Sequence, residues 1–153
     1  MSRAMGIDYG MARIGLALTD PTRTLVTPLC VVAEKDKGQQ TRRVAALAAE
    51  HEAAVLVVGV PLHLDGREGE MAATARRFAA KMGQVTGLPV VLWDERMSSL
   101  EAADILRGVA AAHGKRGKPM KGRLDQVAAA VILQGWLDAG APMAAADAGE
   151  GER

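Results

Sequence analysis

The sequence predicts an α/β fold: a mixed five-stranded sheet with strands one to three antiparallel, strands four and five parallel to the first, and helices on both faces. Three observations carry this. Residues 3–33 hold three short apolar segments separated by turn signals. Residues 55–60 (VLVVGV) and 90–93 (VVLW) are apolar without alternation, as in strands covered on both faces. Helical patterning brackets each of these later runs, and parallel strands need such crossovers.

Residues 3–9 and 14–20 flank Gly10-Met11-Ala12-Arg13 and read as a β-hairpin. Asp20-Pro21 and Thr22 turn the chain into a third strand over 27–33. Lys35-Asp36-Lys37-Gly38 breaks the pattern, and Val44, Leu47, Ala48 and His51 then recur at helical spacing over about 39–51. Strand four, 55–60, is closed by Pro61. Past a turn at Asp65-Gly66, residues 70–85 are rich in helix formers and are stopped by Gly87-Leu88-Pro89. Strand five follows at 90–93. Ser98-Ser99-Leu100-Glu101 is a capping box that opens a helix to about Arg107. The stretch 108–122 is Gly-rich and basic, its second half expected to be a mobile loop. A last helix over 124–137 carries Asp125, Ala128, Ala129, Ile132, Leu133 and Trp136 on one stripe. The first strand is expected centrally, beside the fourth.

A chain of 153 residues, 49% hydrophobic, suits one domain at 1–139, with an unperiodic, disordered tail expected at 140–153. Nineteen Lys and Arg against eighteen Asp and Glu exclude a strong global field. One cysteine, Cys30, and three scattered histidines, His51, His63 and His113, exclude a disulfide framework and a structural zinc site, so a reducing, cytoplasmic setting is expected. The opening MSRAMGIDYG lacks an export signal, and the apolar run 53–62 is half of the roughly 20 residues a bilayer span needs, so no membrane partner is expected. Aromatic residues, at 3%, are too few for a sheet that stacks successive RNA bases.

In such sheets, sites gather beyond the carboxyl ends of the parallel strands. Asp8 ends strand one, Asp94-Glu95 ends strand five, and Asp125 starts the last helix on its apolar stripe. Each has a structural reading: Asp8 as a turn cap, Asp94 or Glu95 as a partner of Arg96, Asp125 as a helix N-terminal acid. Together they make an oxygen-lined site suited to Mg²⁺ or Mn²⁺.

Asp8-Tyr9-Gly10 with Arg13-Ile14-Gly15, Val58-Gly59-Val60-Pro61-Leu62 with Asp65-Gly66, Asp94-Glu95-Arg96, and Asp125 followed by Ala128-Ala129 and Ile132-Leu133 form four blocks spanning residues 7–137. In order and spacing they resemble the YqgF family of ribonuclease H-like proteins, described both as pre-16S ribosomal RNA nucleases and as Holliday junction resolvases. The resemblance implies a ribonuclease H-like nuclease domain in which Asp8, Glu95 and Asp125 are the catalytic, metal-binding acids. It favours processing of the 5′ end of pre-16S rRNA in ribosome biogenesis, with pre-rRNA as partner and branched DNA as the alternative. His63-Leu64 departs from the family's usual Asn-Met before Asp65-Gly66.

Such a site supports phosphodiester hydrolysis with two divalent cations and no Ser or His nucleophile. From 107 to 123 the chain carries Arg107, Lys115, Arg116, Lys118, Lys121 and Arg123 without an acid, either a solvated loop or a phosphate-binding run beside Asp125. Arg13 and Arg96 are further candidates for nucleic-acid binding. Two other classes compete. An ATP-dependent relative would need a second domain, and a non-catalytic RNA-binding assembly factor would leave the acids structural. RNA trimming and junction resolution are not separable at this level, nor are a monomer and the two-fold homodimer that paired cuts require.

Overall fold

The structure is a computed structural model that describes residues 2–62, 65–95 and 121–143, with the backbone alone at 121–125. In chain order it contains β1 (Arg3–Asp8), β2 (Arg13–Thr19), β3 (Val26–Ala33), α1 (Lys37–Glu50), β4 (Ala53–Val60), α2 (Glu70–Thr86), β5 (Val90–Asp94) and α3 (Lys121–Asp138). The sheet order is β3-β2-β1-β4-β5. β2 is antiparallel to β1 and β3, while β4 is parallel to β1 and β5. The central strand is therefore β1, beside β4, as the sequence predicts.

Alternation along the strands sorts the core into two layers. Met5, Ile7 and Tyr9 of the first strand segment pack with Leu56 and Val58 of β4 under Val44, Leu47 and Ala48 of α1 and Ala75, Phe78 and Met82 of α2. Ala4, Val55, Val57, Val91 and Trp93 face the other way, against Ala129, Ile132, Leu133 and Trp136 of α3. Gly6 shares that second face. A Cβ there would lie 2.8 Å from both the Ala129 carbonyl oxygen and Leu133 Cβ, so α3 rests directly on the strand backbone. Among the described residues, no helix is long and apolar enough to cross a membrane.

At the amino end of β1, the β2–β3 turn ties the layers together. Backbone N–H donation from Leu25 and the hydroxyl of Thr22 hold the Asp20 carboxyl well below the usual carboxylate range. Arg23, in the left-handed region at φ 58°, donates to the Ser2 carbonyl at 2.9 Å and lies 5.9 Å over the Trp136 ring.

Two sequence expectations need adjusting, the start of α3 and the place of His51. α3 begins at Lys121, three residues before the predicted start at Leu124, so Asp125 falls in the second turn and Lys121 and Arg123 belong to the helix, not to the loop before it. His51 is not on the apolar stripe of α1 but is its C-cap. The buried polar positions of that helix are Gln40 and Thr41. Gln40 is buried because its amide donates to the carbonyls of Met11 and Glu34, both at 2.7 Å. At the carboxyl end, Trp136 Nε1 donates to the Pro142 carbonyl at 3.1 Å, so packing continues past residue 139. The predicted helix at 98–107, the loop up to residue 120, His63-Leu64 and residues 144–153 lie outside the described residues.

Candidate functional site

Parallel register brings two of the predicted acids to one edge. Ile7 pairs with Val58, so Asp8 and Gly59 follow side by side at the ends of β1 and β4. Gly59 pairs in turn with Trp93 of β5, and Glu95 lies two residues beyond. A Cβ on Gly59 would lie 2.8 Å from Glu95 Oε2 and 2.4 Å from Ile132 Cδ1. The Glu95 carboxylate thus lies over the bare backbone of β4, on the face covered by α3. Asp8 shares that face, because it stands two residues after Gly6 on the same strand.

The third acid arrives on a helix whose direction can be read from its packing. Trp136 lies near Arg23, which binds Ser2 at the start of β1, whereas Ala129 lies against Gly6 farther along the strand. α3 therefore runs from the Asp8 end of β1 toward the Ser2 end. Asp125, one turn before Ala129, occupies a helix position at the Asp8 end.

Electrostatics mark the same spot. Burial pushes the Glu95 carboxyl above the usual carboxylate range, and the adjacent Asp94 charge pushes it in the same direction. A half-buried carboxylate packed on a glycine beside other acids is a set of hard oxygen donors with excess negative charge, which fits Mg²⁺ or Mn²⁺. Among the described side chains no group of three or more His, Cys, Asp or Glu forms a metal cluster, and the Asp125 side chain lies outside them.

The remaining predicted residues divide by position. Arg13 opens β2 at the hairpin, exposed, on the same edge as Asp8. Lys121 and Arg123 stand in the first turn of α3, at backbone level. Arg96, Lys115, Arg116 and Lys118 lie outside the described residues. Gly59 is the residue to which the sequence blocks assign no role. A glycine inside a buried strand, where a side chain would normally pack, was the available signal.

A family model described as "RuvX: Holliday junction resolvase" matches residues 2–139. A relative from Anaeromyxobacter sp. (strain Fw109-5), named "Putative pre-16S rRNA nuclease", is 46% identical over 136 residues, covering 89% of this chain and 96% of that one. One from Mycobacterium bovis with the same name is 42% identical and covers 89% and 78%. Among solved structures, RuvC from Thermus thermophilus in complex with a Holliday junction substrate superposes with a TM-score of 0.60 at 18% identity, covering 92% of this chain and 97% of that one. The fowlpox virus resolvase with its junction DNA superposes at 0.54 and 11% identity, covering 92% and 99%. These likenesses show that the sheet and its helices share the ribonuclease H-like fold of those two structures.

Proposed function

This chain belongs to the RuvX family, the YqgF family of the sequence resemblance, and on that premise we propose that it is a divalent-metal-dependent nuclease that matures the 5′ end of pre-16S rRNA in the cytoplasm. The observation that carries the reading is the placement of Glu95 over Gly59, on the sheet face and edge that Asp8 shares. The helix direction adds Asp125 at that edge.

Asp8, Glu95 and Asp125 would hold the ions. Bound divalent cations supply water activation and stabilisation of the leaving oxygen in phosphodiester hydrolysis. The chain's own part is rigidity and charge. Asp8 is anchored on the central strand, and Glu95 follows β5 with its carboxylate backed by Gly59 and Ile132. Arg13, Arg96, Lys115, Arg116, Lys118, Lys121 and Arg123 would offset the negative site for a polyanionic substrate, giving affinity that falls steeply with salt.

The test is cleavage of a pre-16S rRNA 5′-end fragment beside a matched four-way DNA junction, with Mn²⁺ and with EDTA. RNA cleavage that needs Mn²⁺ and is abolished by Asp8→Asn is expected. Cleavage retained by purified Asp8→Asn defeats the site. Paired cuts in the junction alone would favour the resolvase that the family description names, and with it a two-fold dimer.

A further inference from the structure

On the sheet face opposite α3, a cleft of about 300 Å³ opens where α1 begins, lined by Tyr9, Lys37, Gly38, Thr41, Phe78 and Lys81. Its floor is aromatic: the rings of Tyr9 and Phe78 stack with centroids 4.6 Å apart. Lys37 Nζ donates to the Tyr9 hydroxyl at 3.0 Å and stands 5.7 Å over its ring. An ammonium has three donors, so two of its N–H groups remain beyond this bond. Lys81, from α2, lines the same cleft.

The polar groups around the cleft leave its charge positive. Gln40, buried beneath it, spends its amide on the Met11 and Glu34 carbonyls. Asp36, the nearest acid before α1, accepts from the Gln39 backbone N–H at 2.9 Å as the helix cap, and among the described residues no carboxylate lines the cleft. Beside Gly38, the position a Cβ would take lies 3.3 Å from Asp36 Oδ2 and 3.5 Å from Arg42 Nη1, so the cap carboxylate there has a guanidinium next to it. Two exposed lysines from different helices thus line one concave surface, and its described lining carries no acid to offset them.

Position identifies the anion. Tyr9 directly follows Asp8, and strand alternation sends the two side chains to opposite faces of the same sheet edge. A nucleic-acid strand held at Asp8 that wraps round this edge of the sheet would pass over the cleft. We propose that Lys37 and Lys81 bind a backbone phosphate of the nucleic-acid substrate in this cleft, on the sheet face opposite the Asp8 side chain. The assignment rests on the nuclease reading for its substrate class and places the strand across the end of β1.

The salt dependence of binding tests it, read by fluorescence anisotropy in EDTA with a labelled single-stranded RNA and a labelled four-way DNA junction, so that no cleavage intervenes. One neutralised phosphate should contribute about 0.7–0.9 to the slope of log affinity against log salt. The Lys37→Ala/Lys81→Ala double variant should lose about that much from the slope while keeping the wild-type melting temperature. Arg43→Ala, on α1 but outside the cleft, should leave the slope unchanged. An unchanged slope in the double variant overturns the proposal. So does a melting-temperature rise with inorganic phosphate that the double variant loses while its nucleic-acid slope is kept, since the cleft would then hold a free anion. If the slope falls yet wild type shows no Mn²⁺-dependent cleavage, the phosphate contact stands and the nuclease reading fails.

Discussion

Gly59 and Glu95 form a pair in which one residue has no side chain so that the other's can be placed. An added methyl on Gly59 would meet Glu95 Oε2 at 2.8 Å and Ile132 Cδ1 at 2.4 Å, and both of these atoms end side chains that can yield. Gly59→Ala is therefore expected to fold, at a cost of about 1–3 kcal/mol by urea titration. Displacing the carboxylate should lower Mn²⁺-dependent cleavage about 10²-fold. A variant with full activity would show that Glu95 does not need this seat. The charge on Glu95 gives a second prediction. Its carboxyl is raised in the folded chain, first by burial and then by Asp94, so ionising it costs more folded than unfolded. That penalty is complete above the folded value and absent below the ordinary carboxylate range. Metal-free Glu95→Gln should thus melt higher than wild type at pH 7, with the difference shrinking toward zero as pH falls to about 3. Equal melting at both would show that no such penalty exists. The acids were legible from their residue types at strand ends. The seat was not, because a close approach between β4, Glu95 and Ile132 belongs to packing across elements far apart in sequence.

At the level of elements, what reached the sequence pattern depended on how each was covered. β4 and β5 were readable because helices lie on both faces of the sheet and leave apolar runs without alternation. The start of α3 was not, since Lys121-Gly122-Arg123 carries no apolar periodicity and helical propensity there is weakened by glycine. Nor was Gln40 in the core, because its burial is made possible by the Met11 carbonyl of the distant β1–β2 turn together with the Glu34 carbonyl just before α1. The contact of α3 with β1 makes a prediction of its own. At Gly6 an added Cβ meets the Ala129 carbonyl and Leu133 Cβ at 2.8 Å, and backbone cannot yield as a side-chain tip does. Gly6→Ala should cost about 3 kcal/mol, at the upper end for overpacking, with the loss read as a lower urea midpoint. A cost below about 1 kcal/mol would mean that α3 shifts on the sheet with little resistance.

For the whole molecule, a cation that binds the folded acids and not the unfolded chain must raise stability. At a free Mn²⁺ concentration about 100 times its dissociation constant the gain is about 2.7 kcal/mol, and it should vanish in Asp8→Asn and return to baseline on EDTA addition. No melting shift with Mn²⁺ in wild type would count against a cation site at this edge. The order in which the site is assembled has its own consequence. Asp8 lies on β1, whereas Asp125 lies on α3, which can dock across that strand only once every other strand of the sheet has been made. On the nuclease reading, a nascent polypeptide that has not yet released α3 would lack its last acid. Cleavage would then begin only when the helix closes onto the sheet.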